Sequence, residues 1–279
     1  MTDLTPAAVA LDRLLTGRRR PALGAFLPAG FPNWTAGIEA LRAFARHGAD
    51  FLEIGVPHRS PAFDGPVITA AYSQALDQGA RMPHLFSTVR LAVSTTGVPV
   101  VVVSYWNPVV QFGVESFTRS LAQVGAAGAM IPDLPEAQAE SWHAAATASG
   151  LHTPRFTPRQ IDDPALERVA STASGWVYAP AADALTGFQG DLDIPGLHRF
   201  TTRLRQHIDL PVVAGIGVST PLHAAHVAPY VDAVVIGSPL VRPLLDHPGR
   251  GGGLSQALER IEDFAGALRA PAAFHALPA

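Results

Sequence analysis

Two acidic residues lie close together in the stretch FLEIGVPHRSPAFDGP, and their placement suggests proton chemistry. Glu53 interrupts an apolar run typical of a β-strand, so its carboxyl points away from Leu52 and Ile54. If those neighbours face a layer of helices, Glu53 faces a partly dehydrated interior. Dehydration raises a carboxyl pKa toward neutrality and suits a general acid/base. The structural alternative is an inward acid neutralised by an arginine.

A second acid, Asp64, follows in the loop ahead of Gly65 and Pro66. Taken alone, an aspartate here is typical of a turn. Its closeness to Glu53 across one loop indicates a second role. Two carboxyls in different surroundings can divide the work, one protonating and the other staying ionised to stabilise positive charge.

Glycines gather after two later strand-like runs. The segment GIG at 215–217 precedes Ser-Thr-Pro, which predicts a helix N-cap, and IGSPLV at 236–241 also opens a helix. Each is compatible with a plain turn, but together they indicate a phosphate site built from backbone N–H groups. LTG at 185–187 adds a further phosphate contact. The candidate residues are Gly215, Gly217, Gly237, Ser238, Thr186 and Gly187.

Large apolar side chains fall on or near the predicted strand ends, and each alone is typical of core filling. Together they predict a flat apolar slot beside the phosphate site, suited to an aromatic phosphate ester. These residues are Phe26, Ile68, Tyr105, Phe156 and Tyr178. The eleven histidines form no HxH or HExxH pair, so we predict no metal site. Without lysine or cysteine the chain has no Schiff-base or thiolate nucleophile.

Composition restricts the function classes. The 279 residues are 48% hydrophobic and 15% charged, with a formal net charge of −3, which argues against nucleic-acid or membrane-surface binding. The N-terminal basic residues follow the apolar turn, the wrong order for a secretory signal, and no apolar run is long enough to span a membrane. We therefore expect a cytoplasmic protein.

The elements that must position these residues alternate regularly between strand and helix. Alternation of this kind implies a parallel sheet, and eight units fit a closed (β/α)8 TIM barrel. No GxGxxG follows the first strand, which disfavours a dinucleotide-binding sheet. We predict a single TIM-barrel domain over residues 1–279, with a short N-terminal helix. The predicted strands lie at 23–27, 50–56, 98–105, 128–131, 153–157, 176–178, 210–217 and 231–237.

Taken in order, the motifs resemble one known family. LEIGVPHRSPAFDGP, SYWNPV, IPDLPEAQAE, LTG, GIGVSTP and IGSPLV occur in the order and spacing of the tryptophan synthase alpha subunit family, across residues 13–269. The resemblance implies a TIM-barrel lyase of tryptophan biosynthesis without metal or organic cofactor. It would split indole-3-glycerol phosphate into indole and glyceraldehyde 3-phosphate by a retro-aldol reaction.

The resemblance also implies a role for each site residue. Glu53 matches the family's general acid/base, and Asp64 matches the aspartate that accepts a hydrogen bond from the indole N–H. Tyr178 matches the tyrosine that supports the glutamate and substrate. Thr186 and Gly187 match the mobile loop over the site. Gly215, Gly217, Gly237 and Ser238 match the phosphate cradle.

This chain departs from the family pattern in its loops. His58, Arg59 and Ser60 replace a segment whose acid communicates with the pyridoxal-phosphate-dependent beta subunit, so we expect altered coupling to that partner. The loop before Thr186 lacks the family's arginine and serine-glycine and has Ala182, Asp183 and Ala184 instead. Pro28 replaces a threonine.

Because these changes lie in the loops, we expect an alpha subunit or a stand-alone paralogue in specialised metabolism. The alternatives are a non-catalytic, ligand-binding regulator of a pyridoxal-phosphate partner, and a lyase acting on a related aromatic phosphate ester.

Overall fold

A computed structural model of the chain describes residues 3–17, 20–247 and 251–269. Eight parallel strands lie side by side in one sheet in the order β4-β3-β2-β1-β8-β7-β6-β5. The strands are β1 Ala22–Pro28, β2 Phe51–Gly55, β3 Val100–Val103, β4 Gly128–Met130, β5 Arg155–Phe156, β6 Val177–Tyr178, β7 Val212–Ala214 and β8 Ala233–Ile236.

The sheet curves until its two ends meet. Gly128 of β4 forms a parallel bridge with His152, just ahead of β5. Two backbone hydrogen bonds at 3.0 Å reinforce this seam, from Ala129 N–H to the His152 carbonyl and from His152 N–H to the Ala127 carbonyl. The predicted (β/α)8 barrel is therefore confirmed, whereas its extent as one domain over 1–279 stays a prediction.

Helices surround the barrel, and the predicted short N-terminal helix is present as α1. They are α1 Pro6–Thr16, α2 Trp34–His47, α3 Pro66–Asp77, α4 Met82–Thr96, α5 Trp106–Phe112, α6 Val114–Gln123, α7 Glu136–Ala148, α8 Asp163–Thr172, α9 Ile194–His207, α10 Pro221–Val227, α11 Ser238–Asp246 and α12 Gly251–Arg269, with a short 3-10 helix at Ala228–Tyr230. None of these helices combines the length and apolarity needed to cross a bilayer.

Strand register explains how the barrel presents its interior residues. In β2, Leu52 and Ile54 are fully buried, and Glu53 lies on the opposite face of the strand. Glu53 is in register with Phe26 of β1 and Val101 of β3. Neighbours in register share a face of the sheet, so these three side chains point toward the barrel interior.

Several predicted strands are longer than the observed ones, and the run predicted at 210–217 is strand only over Val212–Ala214. The apolar run at 98–105 is strand only over Val100–Val103, because Tyr105 already caps the N-terminus of α5, a helix that the sequence pattern did not predict. Strands β5 and β6 pair over two residues each, fewer than expected.

Candidate active site

The carboxyl ends of the strands surround a cavity of about 770 Å³ that includes its open mouth. Catalytic sites of TIM barrels lie at this end. Every candidate site residue predicted from the sequence lines it: Phe26, Glu53, Asp64, Ile68, Tyr105, Phe156, Tyr178, Thr186, Gly187, Gly215, Gly217, Gly237 and Ser238. The structure thus brings together residues separated by more than 200 positions in the sequence.

Glu53 is the most dehydrated acid of the cavity. Its side chain is 3% exposed, and its buried Oε1 has no hydrogen-bond partner in the described part of the chain. Burial raises the pKa of Glu53 from 4.5 to about 8. The carboxyl is therefore protonated at neutral pH and able to exchange a proton near it. No arginine among the described residues lines the cavity or forms an ion pair with Glu53, which contradicts the structural alternative of an acid neutralised by arginine.

Asp64 is partly buried, and its carboxyl has two hydrogen-bond donors. The Tyr105 hydroxyl donates to Oδ2 at 2.8 Å, and the Thr186 hydroxyl donates to Oδ1 at 3.3 Å. Burial raises the pKa of Asp64, while both hydrogen bonds act in the opposite direction. The two donors stabilise the charged form of Asp64, a support that the Glu53 Oε1 lacks among the described residues.

The loops after β2 and β6 are joined directly over the cavity. The Thr186 hydroxyl accepts from the Gly65 N–H at 2.9 Å, and the Thr186 N–H donates to the Phe63 carbonyl at 3.1 Å. A Cβ at Gly65 would collide with the Thr186 carbonyl, so this approach requires glycine. The loop carrying Thr186 is therefore closed over Asp64.

The opposite end of the cavity is formed by β7, β8 and the start of α11. The Tyr178 hydroxyl accepts from the Ile216 N–H at 2.8 Å, in space that a side chain at Gly215 would occupy. Ser238 begins α11, and its buried hydroxyl has no partner in the described chain. Gly187 lies above it, with a positive φ of 84° and an added Cβ 3.1 Å from that hydroxyl oxygen.

This end of the cavity is suited to an anion. A buried hydroxyl without a partner, placed at a helix N-terminus, is a ready hydrogen-bond donor in a region of positive dipole potential. The predicted N-cap of α10 is also present, since Thr220 accepts from the His223 N–H at 3.1 Å. None of the residues lining the cavity in the described chain is basic, so an anion would be held by N–H and hydroxyl groups.

The unusual loop residues lie at the rim. The His58 ring stacks on Tyr105 with ring centroids 5.1 Å apart, and exposed Arg59 lies 3.5 Å from Asp77. In the loop after β6, Asp183 accepts from Gln160 Nε2 at 3.1 Å. Ala182 N–H donates to the Ile216 carbonyl at 3.1 Å. The altered loops thus have their own contacts in the closed arrangement.

Several lining residues were missed by the sequence analysis: Phe63, Tyr72, Val103, Met130, Pro132, Phe188, Ile216, Val218, Ser219, Val235 and Pro239. Most are apolar neighbours of predicted residues, and their types alone carry no signal. Tyr72 is different, because it brings a hydroxyl from the middle of α3. Within the described ranges, no group of three or more His, Asp or Glu residues is arranged to hold a metal ion.

Comparison with known proteins agrees with this geometry. A family model described as tryptophan synthase alpha chain matches residues 13–271. The tryptophan synthase alpha chain of Streptomyces coelicolor is 40% identical over 91% of this chain and 93% of its own length. That of Salinispora arenicola is 38% identical over 95% of this chain and 98% of its own.

Solved structures are similar over the same extent. A structure of Mycobacterium tuberculosis tryptophan synthase superposes with a TM-score of 0.86 at 31% identity, covering 96% of this chain and all of the matched one. The tryptophan synthase subunit alpha of Legionella pneumophila gives a TM-score of 0.84 at 24% identity, covering 95% and 98% of the two chains, and so supports the fold.

Proposed function

The chain belongs to the tryptophan synthase alpha chain family, and we propose that it is the carbon–carbon lyase that cleaves indole-3-glycerol phosphate. The products are indole and glyceraldehyde 3-phosphate, and the reaction belongs to tryptophan biosynthesis. The observation that supports this most directly is the pair of unlike carboxyls, Glu53 and Asp64, in one cavity with an end suited to an anion.

Glu53 handles the protons of the reaction. The bond between indole C3 and the first carbon of the glycerol chain breaks after C3 gains a proton, and the hydroxyl on that carbon loses its proton as the aldehyde forms. A carboxyl with a pKa of about 8 is protonated before the reaction and can donate to C3. The resulting carboxylate then accepts the hydroxyl proton, so the protons balance within the cycle.

Asp64 stabilises the charge that results. Protonation of C3 makes the indole ring a cation whose charge is concentrated at its nitrogen. The ionised carboxyl accepts a hydrogen bond from the indole N–H, which becomes stronger as the ring gains charge. Tyr105 donates to one carboxyl oxygen of Asp64 and Thr186 to the other. Each oxygen has a further lone pair that can accept a hydrogen bond from the substrate.

The rest of the cavity positions the substrate. The phosphate is bound beside Ser238 and the glycines of β7 and β8, and the indole lies among Phe26, Ile68, Tyr105 and Phe156, with Tyr178 between the two ends. Binding energy from the phosphate holds the scissile bond against Glu53. Closure by Thr186 excludes water, which strengthens the electrostatic effect of Asp64.

Members of this family work with a beta subunit, and we propose that this chain does so with altered coupling. His58 contacts Tyr105, which in turn contacts Asp64, so the altered rim is connected to the chemical site through one side chain. A change at this rim is therefore expected to alter how strongly a beta subunit affects the chemical site.

The test is indole release from indole-3-glycerol phosphate by the purified protein, alone and with a tryptophan synthase beta subunit. We expect the wild type to release indole alone and a partner to stimulate it weakly. Indole release that depends wholly on the partner would contradict the altered coupling but would still support the lyase activity. Absence of indole under both conditions, with the substrate still bound, would overturn the lyase and favour a binding regulator.

A further inference from the structure

Tyr72 has a hydroxyl in the cavity that none of the steps above uses. The residue projects from α3, is 1% exposed and lines the cavity. Its hydroxyl has no hydrogen bond to any residue within the described ranges. Burial contributes most to its raised pKa, and the nearby Asp64, Tyr105 and Glu53 raise it further. A buried tyrosine hydroxyl normally has a partner, so its partner here is to be sought in the ligand.

Gly55 makes room for this hydroxyl. It follows Glu53 by two positions on β2, so both residues face the barrel interior. A Cβ at Gly55 would lie 2.8 Å from the Tyr72 hydroxyl oxygen and 2.6 Å from Phe26 Cζ. The Tyr72 hydroxyl therefore lies where a side chain at position 55 would lie, on the same face of β2 as Glu53.

Phe26 connects this position to the phosphate end. Its ring packs edge-on against Tyr72 with centroids 6.5 Å apart, and a Cβ at Gly237 would lie 3.2 Å from its Cδ1. The Tyr72 hydroxyl thus lies on the wall that runs from Glu53 toward Ser238. The glycerol chain must follow this wall if the indole and phosphate are bound as proposed.

We propose that Tyr72 is a specificity-determining residue whose hydroxyl hydrogen-bonds to a hydroxyl group of the substrate's glycerol chain. The inference rests on the proposed function, because it assumes which end of the cavity holds the phosphate. A tyrosine hydroxyl both donates and accepts, so it pairs with a neutral alcohol without imposing charge. A ligand with the same indole and phosphate but no chain hydroxyls would not engage it.

Two ligands separate this role from simple packing. Indole-3-glycerol phosphate has hydroxyls on its chain, whereas indole-3-propanol phosphate has none. Calorimetry measures the affinity of each ligand for two proteins. The first is the variant Glu53→Gln, in which cleavage is prevented, and the second carries Tyr72→Phe in addition. We expect the second substitution to weaken glycerol phosphate binding by about two- to tenfold, the range for one hydrogen bond, and to leave the propanol phosphate unaffected.

The controls make each failure recognisable. Tyr230→Phe removes a hydroxyl from a tyrosine that does not line the cavity and should change neither affinity. Equal weakening of both ligands by Tyr72→Phe would mean that the ring only packs, and no weakening of either would mean that the hydroxyl is not used. Both results overturn the assignment. If the single variant Glu53→Gln bound neither ligand, the proposed function would be overturned, and the role of Tyr72 with it.

Discussion

Glu53 and Asp64 are carboxyls of one cavity, but a strand carries the first, which is buried, and a loop carries the second, which is partly buried. Strand β2 fixes Glu53 between two fully buried neighbours and leaves Oε1 without a donor. The loop brings Asp64 to donors from two other parts of the chain, Tyr105 and Thr186. Dehydration alone favours the neutral acid, whereas dehydration with donors keeps a carboxylate accessible. The supporting element therefore determines which acid exchanges protons.

The largest expected effect is on the strand acid. Glu53→Gln keeps the shape and loses the exchangeable proton, so turnover should fall by about 10²- to 10⁴-fold, the range for a general acid/base. Binding of indole-3-propanol phosphate should be retained. Steady-state indole release and calorimetry measure the two quantities, with Glu39→Gln, an exposed acid, as the matched control. Near-normal turnover in Glu53→Gln would show that another group transfers the protons.

A smaller loss is expected at the loop acid. Asp64→Asn keeps an acceptor oxygen for the indole N–H but removes the negative charge, so kcat should fall by about 10- to 100-fold, as for a hydrogen bond to a charged group. KM should change less, because the charge matters most once the ring is cationic. Single-turnover kinetics with excess enzyme would separate the chemical step from product release. A change confined to KM would contradict the assigned role.

The smallest effect is expected from one of the donors that distinguish the two acids. Tyr105→Phe removes the hydroxyl that lowers the pKa of Asp64, so that pKa should rise. Asp64 must be ionised to act, and its activity is lost as the pH falls through its pKa. The acidic limb of the kcat/KM profile should therefore move to higher pH, with a loss of about threefold to tenfold near neutrality. An unchanged acidic limb would show that ionisation of Asp64 does not determine it.

Much of this arrangement follows from the sequence, because alternation along a strand and the position of strand ends are local properties. Glu53 and the glycine turns at Gly215 and Gly237 are identified in that way. The donors to Asp64 are not, because Tyr105 and Thr186 lie 41 and 122 positions away and meet it only through loop closure. Those contacts depend on the tertiary fold.

Tyr72 and α5 show two further limits of sequence reasoning. Tyr72 lies in an apolar helical pattern, PVITAAYSQALD, that is typical of core packing. Its access to the cavity depends on the missing side chain at Gly55, which lies on strand β2, so the helical pattern around Tyr72 does not indicate it. Helix α5 is concealed because VVVVSYW continues the apolar run of β3, and the chain leaves the sheet without a glycine or proline between them.

Glu53, whose Oε1 has no donor among the described residues, is the acid that carries the exchangeable proton at neutral pH, whereas the two donors on Asp64 favour its carboxylate form. Infrared difference spectroscopy measures this directly, because a protonated carboxyl and a carboxylate absorb in separate bands. We predict a protonated-carboxyl band in the wild type at neutral pH that disappears with a midpoint near pH 8, is absent in Glu53→Gln and persists in Asp64→Asn. A band that survives in Glu53→Gln and vanishes in Asp64→Asn would contradict the account.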